Sequence, residues 1–530
     1  MGKKLLIMVA LALVLIIALP TVASARRMDD ITHRIEGGMV YVPLRQAAEA
    51  YGWEVTWERR TGIVHLTNPS GVVESYPIDF FAEVLGGFIE EGVTWIPYEV
   101  ALMMFDTRTM VFTLTEEARD IALYDFDYMI AFILENSPWD NVIYRALGIE
   151  FGDIVDFYRN AIESMEPLPI TIFDEEMFAE QFPVHDGDTP RELAANYLFM
   201  LLNFFAMDLT GIGHMMPRLL DIYTAQYTAY VRGLYHEWHS EAAIEYAMLM
   251  HGVFEDPAAV WFYGEIEVDV YDTDSSFPRI PGNVETEILV PDEIALIRIN
   301  SFMANSEYDD AYILPFLREV SDFDHLIIDI RGNFGGLMYY PLQLLFRRLI
   351  NEPVYVNDYE FFADGETARS LMEAGIRLTL ETEGVEYAEI LPAGDFVAER
   401  GKVLFGEDAL ARLDHVMVSR VSVEPAIDAV GFEGRIWLLV DGFSASTSAM
   451  FTLIALETGF ATVVGENTSR IMGSSHVYIV LPNTGIIWRT DIGYRTDAYG
   501  RSLEVYGIAP NQYNFEGMDA LDTVLAIILG

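Results

Sequence analysis

Apolar runs that alternate with helical patterns constrain residues 285–530 more than any other feature of the chain. Ile294-Ala-Leu-Ile-Arg-Ile-Asn300 and Leu326-Ile-Ile-Asp-Ile330 are short and apolar enough for inner strands, and a helical pattern follows each. Arg435-Ile-Trp-Leu-Leu-Val440 is a third such run. Strands that alternate with helices predict an α/β domain. The insertion between the second and third runs, residues 352–430, carries no pattern that indicates its role.

Ser446 lies where the third run turns into the helical stretch Thr447 to Thr458. A hydroxyl at a helix N-terminus is surrounded by backbone N–H groups that lack intrahelical partners, and such groups can stabilise an oxyanion. This position favours a nucleophilic serine. The alternative is that Ser444, Ser446 and Ser448 only cap the helix, as small hydroxyl residues commonly do.

Composition excludes several classes of protein. The 530 residues are 52% apolar and 13% aromatic, which predicts compact domains rather than disorder. A net charge of −50 repels nucleic acid and anionic lipid headgroups, so no nucleic-acid partner is expected. The absence of cysteine excludes disulfides, thiolate zinc sites and a cysteine nucleophile.

The N-terminus has the pattern of a secretory signal. Lys3 and Lys4 precede an apolar stretch from Leu5 to about Ala18, and Ala23-Ser24-Ala25 has the small-x-small spacing of a cleavage site. Residues 1–25 therefore predict a secreted, extracellular or cell-surface protein. A retained membrane anchor is the alternative, although the run is short for a span. No later span is expected, because Asn196 and Asn203 interrupt the most apolar candidate, Ala194 to Met207, which favours a buried helix.

Residues 26–115 contain a weak internal repeat. Gly38-Met-Val-Tyr-Val-Pro43 and Gly92-Val-Thr-Trp-Ile-Pro97 each precede a short helical pattern. Between them, Trp53 to Trp57 and Gly62 to Leu66 alternate like paired strands. The segment resembles the small α+β stalk module at the N-terminus of copper amine oxidases. That resemblance implies attachment to the cell wall or surface, and no copper.

Residues 116–284 have a helical pattern. Thr189-Pro190-Arg191-Glu192 has capping-box spacing with proline at the first helical position, and it opens a long apolar helix that ends near Asp208. The glycine-containing loop that follows displays His214. His236 and His239 are spaced i and i+3 rather than i and i+4, so this pair does not predict a zinc site.

Three segments together resemble the tail-specific, or C-terminal processing, serine peptidases and the related tricorn protease. They are Leu326-Ile-Ile-Asp-Ile-Arg-Gly-Asn-Phe-Gly-Gly336; Leu438-Leu-Val-Asp-Gly-Phe-Ser-Ala-Ser-Thr-Ser448 with Ala461-Thr-Val-Val-Gly-Glu466; and Leu481-Pro-Asn483 with Glu504-Val-Tyr-Gly-Ile-Ala-Pro-Asn511. The resemblance implies a peptidase-like α/β catalytic domain over residues 285–530, with polypeptide substrates and no cofactor or metal.

The resemblance also implies roles for single residues. Ser446 matches the nucleophile, Thr447 would supply one oxyanion N–H, and Gly335 with Gly336 matches the turn that supplies the other. Glycine is physically suited to this position because it lets the backbone approach a scissile carbonyl closely.

The general base is the point at which the chain departs from the bacterial processing peptidases. Their base is a lysine after the Gly-Glu segment, but residues 467–475 contain none, and Lys402 is the only lysine beyond the signal. Arg470 cannot replace it, because a guanidinium keeps its proton. The tricorn-like branch resembles a Ser-His-Glu arrangement instead, in which His214 matches the base and Glu504 the acid that orients it. His476, close to the missing lysine, is the second choice of base.

These residues predict a secreted serine endopeptidase with Ser446, His214 and Glu504 as a triad, since triads are defined by geometry rather than by chain order. The alternative is an inactive peptidase-fold protein that binds peptides at the cell surface. The missing lysine is the main support for that alternative.

Overall fold

The computed structural model describes most of the chain from residue 32 onward. The predicted signal, residues 1–25, lies outside the described residues. The described residues fall into two compact units, one drawn from 1–112 and 167–182 and the other from 113–166 and 183–530. The described residues are 32, 34–36, 39–58, 61–67, 73–78, 80–83, 88–90, 93–97, 100–101, 108–139, 148–172, 175–209, 215–234, 240–268, 278–381, 384–400, 412–470, 474–497 and 503–530.

The first unit is built mainly from short antiparallel strands. The two strands of the internal repeat, Met39–Pro43 and Val93–Pro97, pair with each other in a four-stranded sheet. The alternating segments pair as predicted, with Val55 opposite Leu66. The strands are Arg34–Glu36, Met39–Pro43, Glu54–Glu58, Ile63–Thr67, Val73–Pro77, Phe88–Glu90, Val93–Pro97, Arg108–Phe112 and Leu168–Ile172; the helices are Leu44–Ala50, Phe80–Glu83 and Glu175–Gln181.

The second unit begins with helices. Thr189 and Glu192 form both bonds of the predicted capping box at the start of Pro190–Asp208, and the middle of that helix is buried. None of the helices within the described ranges is both long and apolar enough to cross a bilayer. The helices of this region are Glu116–Asn136, Phe151–Glu163, Pro190–Asp208, Leu220–Arg232, Glu241–His251, the 3-10 turn Gly252–Glu255, and Pro257–Tyr263.

A buried carboxylate joins this helical region to the α/β region. Asp125 is fully buried in helix Glu116–Asn136. It accepts hydrogen bonds from the backbone N–H and side chain of both Asn483 and Thr484, at 2.6–3.2 Å. Asn483 belongs to the Leu481-Pro-Asn483 segment noted in the sequence, and it lies in the turn of a hairpin. The carboxylate therefore holds that turn against the helix.

We expect Asp125→Ala to lower the free energy of unfolding by about 3 kcal/mol or more, because two buried donors of Thr484 and two partly buried donors of Asn483 would lose their acceptor. Urea unfolding of the full chain measures the change. Asp120→Ala, an exposed position on the same helix, is the matched control and should leave stability nearly unchanged. Equal effects of the two substitutions would contradict the role assigned to Asp125.

In its described residues, the α/β region contains twelve strands and a parallel core. The strands are β1 (Val284–Val290), β2 (Ile294–Ile299), β3 (His325–Asp329), β4 (Val354–Phe362), β5 (Val385–Pro392), β6 (His415–Val423), β7 (Arg435–Val440), β8 (Thr462–Gly465), β9 (His476–Val480), β10 (Ile487–Asp491), β11 (Gly493–Arg495) and β12 (Gln512–Tyr513). Six of them form a sheet in the order β1-β2-β3-β7-β8-β12, in which only β1 and β2 pair antiparallel. This arrangement is the predicted α/β fold.

Both faces of the six-stranded sheet are buried, which explains why its inner strands read as continuous apolar runs. Alternate residues of β2, β3 and β7 face a layer that includes helices Ser306–Glu319 and Thr447–Thr458. The residues between them face the last helix, Ala520–Leu529. The remaining helical segments are Tyr339–Pro341, the π-helical turn Leu342–Phe346, Arg347–Leu349, Glu366–Glu381, Ala393–Arg400 and Leu503–Tyr506.

Two smaller sheets flank this core. The insertion, residues 352–430, contributes β4, β5 and β6 to an antiparallel sheet in the order β5-β6-β4-β11. A third sheet joins Met216–Pro217, β10 and β9. The insertion is thus tied to the C-terminal part of the chain through β11.

Candidate active site

Ser446 has a backbone conformation that non-glycine residues rarely adopt. It occupies the N-cap position of helix Thr447–Thr458 with φ +50° and ψ −119°. Its side chain makes no capping hydrogen bond and is half-buried. Capping therefore does not account for Ser446. A strained position of this kind persists only when the surrounding structure holds it, and such positions cluster at functional sites.

The two neighbouring serines are structural. Ser444 donates its hydroxyl to the carbonyl of Ile330 at 3.0 Å and accepts the backbone N–H of Asp441 at 3.1 Å. Ser448 donates to Oδ1 of Asn333 at 2.9 Å. The bonds to Ile330 and Asn333 both join the Ser446 turn to the segment that follows β3. They hold these two neighbouring turns together.

Asn333 and Asp441 complete this connection, and the sequence alone did not single them out. Buried Asn333 accepts the N–H of Gly335 through Oδ1 at 2.9 Å, and its backbone carbonyl accepts the N–H of Ala445 at 3.1 Å. Asp441 accepts the N–H of Gly332 at 3.0 Å. In both turns an Asn or Asp lies close to a glycine, a pattern typical of side chains that bond to the backbone of a turn.

Gly335 and Gly336 lie directly against the serine turn. Their φ values are +99° and +141°. A Cβ on Gly335 would stand 2.8 Å from the backbone nitrogen of Thr447 and 2.9 Å from the Cβ of Ser446. A Cβ on Gly336 would overlap the backbone of Phe302. Only glycine fits at these two positions, because both the backbone angles and the space exclude a side chain.

The N–H groups of Gly336 and Thr447 are the two candidate oxyanion donors. The N–H of Phe302 donates to the carbonyl of Gly335, and the N–H of Leu337 donates to the carbonyl of Phe302. The N–H and carbonyl of Gly336 itself therefore face away from Phe302. On that side the carbonyl of Gly336 accepts the Thr447 hydroxyl at 2.5 Å. The N–H of Gly335 is already donated to Asn333. We therefore expect Gly335 to shape the turn and Gly336 to supply the donor.

The two remaining members of the predicted triad are not described in full. His214 lies outside the described residues, and so does the side chain of Glu504. The backbone around Glu504 forms the short helix Leu503–Tyr506. Leu503 packs with Ala449, Met450 and Leu453 of the Ser446 helix. The segment that carries the predicted acid therefore lies against the helix that begins after the predicted nucleophile.

The two ring nitrogens of His476 contact Tyr478 and Ser474. Its Nε2 lies 3.1 Å from the Tyr478 hydroxyl and its Nδ1 lies 3.3 Å from the carbonyl of Ser474. Burial, and next the nearby Arg489, lower the pKa of His476 well below its usual value. The ring is therefore neutral near pH 7. Its role as a base stays a prediction.

A buried acidic residue from the insertion lies behind the Ser446 helix. Glu360 on β4 is fully buried and accepts the N–H and hydroxyl of Ser475 at 2.6 and 2.8 Å. It also pairs with Arg495 on β11 at 3.3 Å. Nη1 of Arg495 in turn lies 3.7 Å from Sδ of Met450, one helical turn after Ser446. The insertion thus helps to fix the helix of the site.

Within the ranges given above, no three His, Cys, Asp or Glu side chains are grouped so that they could hold a metal ion. His236 and His239 lie outside those ranges. Lys402 does too, while the described residues 467–470 contain no lysine.

Comparison with known families agrees with this architecture. Residues 293–513 match Peptidase family S41, and residues 25–113 match the Copper amine oxidase N-terminal domain. No curated protein matches the chain.

The solved structures to which this chain is similar are distant in sequence. A protein described as a peptidase from Parabacteroides merdae is 15% identical, with 74% of this chain and 97% of that chain covered and a TM-score of 0.37. For mature CPAF in complex with lactacystin the identity is 14%, the coverage 75% and 94%, and the TM-score 0.40. The photosystem II D1 C-terminal processing protease is 14% identical, with 47% of this chain and 52% of that chain covered and a TM-score of 0.29. The likeness to Peptidase family S41 rests on the sequence match of residues 293–513.

Proposed function

We propose that this chain is a secreted endopeptidase that cleaves polypeptides through an acyl-enzyme on Ser446. The match of residues 293–513 to Peptidase family S41 supports this proposal. One observation carries the choice of nucleophile. Ser446 is strained, uncapped and half-buried at the carboxyl end of a parallel strand, against a pair of glycines at the end of the next strand. The carboxyl edge of a parallel sheet is where α/β proteins bind ligands.

The proposed reaction is acyl transfer. The base, His214, takes the hydroxyl proton of Ser446 while Oγ bonds to the scissile carbonyl carbon. The N–H groups of Gly336 and Thr447 donate to the resulting oxyanion. The histidine then protonates the leaving amine as the peptide bond breaks. Water hydrolyses the ester by the same steps and regenerates Ser446.

Exposed apolar side chains around the turn support a polypeptide substrate with large apolar residues near the scissile bond. Phe334, next to Gly335, is 46% exposed, and Phe443, three residues before Ser446, is 60% exposed. Their ring centroids are 6.0 Å apart. Leu337, directly after Gly336, is 41% exposed. Apolar residues grouped at a site are typical of a binding surface, and unfolded segments would supply matching side chains.

We place the protein outside the cell or at its surface. The charged and apolar pattern of residues 1–25 supports export. We propose that the N-terminal module, whose residues 25–113 match the Copper amine oxidase N-terminal domain, attaches the protein to the cell wall or surface. We propose no copper site, because the resemblance is to the N-terminal stalk module of the copper amine oxidases, for which no copper is implied.

The base distinguishes this mechanism from the alternatives. We expect His214→Gln to lower kcat for an unfolded, apolar-rich protein by about 10² to 10⁴-fold, the usual contribution of a general base. His476→Gln is the matched control, because glutamine can still bond to Tyr478, and its kcat should stay within a few-fold of the parent. Quantified cleavage of the denatured substrate by the full chain measures both values.

A large loss of kcat in His476→Gln, with little loss in His214→Gln, would identify His476 as the base. Equal cleavage by the parent and both variants would exclude a histidine mechanism. Binding of the unfolded protein by the parent without any cleavage would instead establish the non-catalytic, peptide-binding alternative.

A further inference from the structure

One face of the three-stranded sheet, on the side of Arg218, carries a cluster of charged and polar side chains that the proposed mechanism does not use. In the pairing of β9 with β10, His476 lies opposite Asp491 and Tyr478 opposite Arg489. Opposite residues of an antiparallel pair share a face. Arg218 joins this face, because its guanidinium lies 5.2 Å from the centre of the Tyr478 ring.

Helices cover the cluster from the other side. Gln226, from Leu220–Arg232, donates to the Tyr478 hydroxyl at 3.0 Å. The ring of His251, at the end of Glu241–His251, lies 5.6 Å from that of Tyr478. Burial lowers the pKa of His251 to about 4, so the ring is neutral at pH 7. His476 is neutral as well. The histidines therefore add no charge to the cluster.

The guanidinium of Arg218 is buried without a partner for one of its edges. The residue is 3% exposed, and burial lowers its pKa to about 10. Within the described part of the chain, Nε and Nη2 have no hydrogen-bond partner. A buried, unpaired charge is strongly unfavourable, so an arginine is rarely retained in this state without a ligand.

Nε and Nη2 form the edge with which arginine grips a carboxylate. Elsewhere in the chain, Arg159 uses the same two atoms on Asp127, at 2.9 and 3.1 Å. Two parallel N–H donors on this edge match the two oxygens of a planar carboxylate. The free edge of Arg218 therefore has the geometry of a half-complete ion pair.

The charges of the cluster favour a singly charged anion. Arg218 and Arg489 supply two positive charges, and the fully buried Asp491 supplies one negative charge, bonded to Arg489 at 3.2 Å. Among these three described side chains, one positive charge is left over. A carboxylate would neutralise it, whereas a doubly charged phosphate would overcompensate it.

We propose that Arg218 is the anchor of a buried binding site for a carboxylate, held by the Nε and Nη2 edge of the guanidinium and flanked by Tyr478, Gln226 and Arg489. The carboxylate belongs either to a small free acid or to a peptide. The site does not depend on Ser446, so it stands or falls independently of the proposed peptidase activity.

Calorimetric titration of the full chain, carrying Ser446→Ala to prevent cleavage, tests the site. Sodium acetate is titrated at constant ionic strength balanced with sodium chloride. We expect saturable acetate binding that weakens at least about tenfold in Arg218→Gln, because the bidentate grip is lost. Arg377→Gln, which breaks an exposed pair with Glu245 at 2.8 Å, is the matched control and should bind as the parent does.

Two further arms separate the sources of the carboxylate. An unstructured peptide with a free C-terminal carboxylate, but no acidic side chain, is compared with its C-terminal amide. Tighter binding of the free acid than of both amide and acetate identifies a peptide terminus, and binding of acetate alone identifies a small acid. Arg218→Lys, which keeps the charge but not the fork, replaces Arg218→Gln if that variant does not fold. Absence of saturable acetate binding in the parent, or equal binding by the Arg218 variants, would overturn the proposal.

Discussion

Replacing Ser446 with alanine should lower hydrolysis of an unfolded polypeptide by at least about 10³-fold, and by up to about 10⁶-fold if Ser446 and the base act as a unit. The expected loss is large because the neighbouring serine hydroxyls cannot take its place. Ser444 and Ser448, on either side, both donate their hydroxyls to the segment after β3. Initial rates of cleavage at saturating substrate measure the effect.

Ser321→Ala, at a half-buried position whose hydroxyl donates to the carbonyl of Arg318, is the control and should retain full activity. Ser446→Gly adds a second readout. Glycine tolerates φ +50° without strain. The free energy of unfolding of this inactive variant should therefore be about 1 kcal/mol higher than that of Ser446→Ala. Full activity in either Ser446 variant would remove the serine mechanism.

Gly336→Ala should abolish most activity and also destabilise the domain. A methyl group there would overlap the backbone of Phe302, which cannot move aside as a side chain could. We expect a loss of about 3 kcal/mol or more in the free energy of unfolding. Displacement of the Gly336 N–H should lower kcat by about 10² to 10³-fold, the usual contribution of one oxyanion donor.

Gly332→Ala is the matched control for this prediction. Gly332 lies in the same turn at φ +75°, but a Cβ there would meet nothing within 4 Å. Its substitution should cost only the strain of a positive φ, about 1 kcal/mol, and leave kcat close to that of the parent. Urea unfolding and cleavage rates on the same samples separate the two effects. Equal stability and equal cleavage rates for Gly336→Ala and Gly332→Ala would show that the close contact between Gly336 and Phe302 is not needed for activity.

Local sequence signals predicted the elements of the site well. The apolar runs before Asn300 and Ser446 are inner strands, and the helix after Ser446 begins at Thr447. The Thr189 and Glu192 spacing predicted both bonds of a capping box that the structure contains. These signals are readable because each depends on residues within one turn of helix or one strand.

Contacts between distant segments could not be predicted in this way. Asn333 and Asp441 link turns more than one hundred residues apart, and they do so only because β3 and β7 are neighbours in the sheet. Glu360 reaches Ser475 because β4 pairs with β11. The insertion looked uninformative in the sequence since its partner strand lies far along the chain.

The chain's own order of residues was sufficient to predict an α/β domain, an N-terminal module, a serine at a strand-to-helix turn and the absence of a lysine near it. These properties follow from periodicity, composition and motif spacing, which are local. Only the tertiary structure decided that Ser446 leaves its cap unused, that Gly335 gives its N–H to Asn333, and that Arg218 is buried with one edge unpaired. Each of these depends on which strands adjoin, because hydrogen-bond partners and burial are set by neighbours in space.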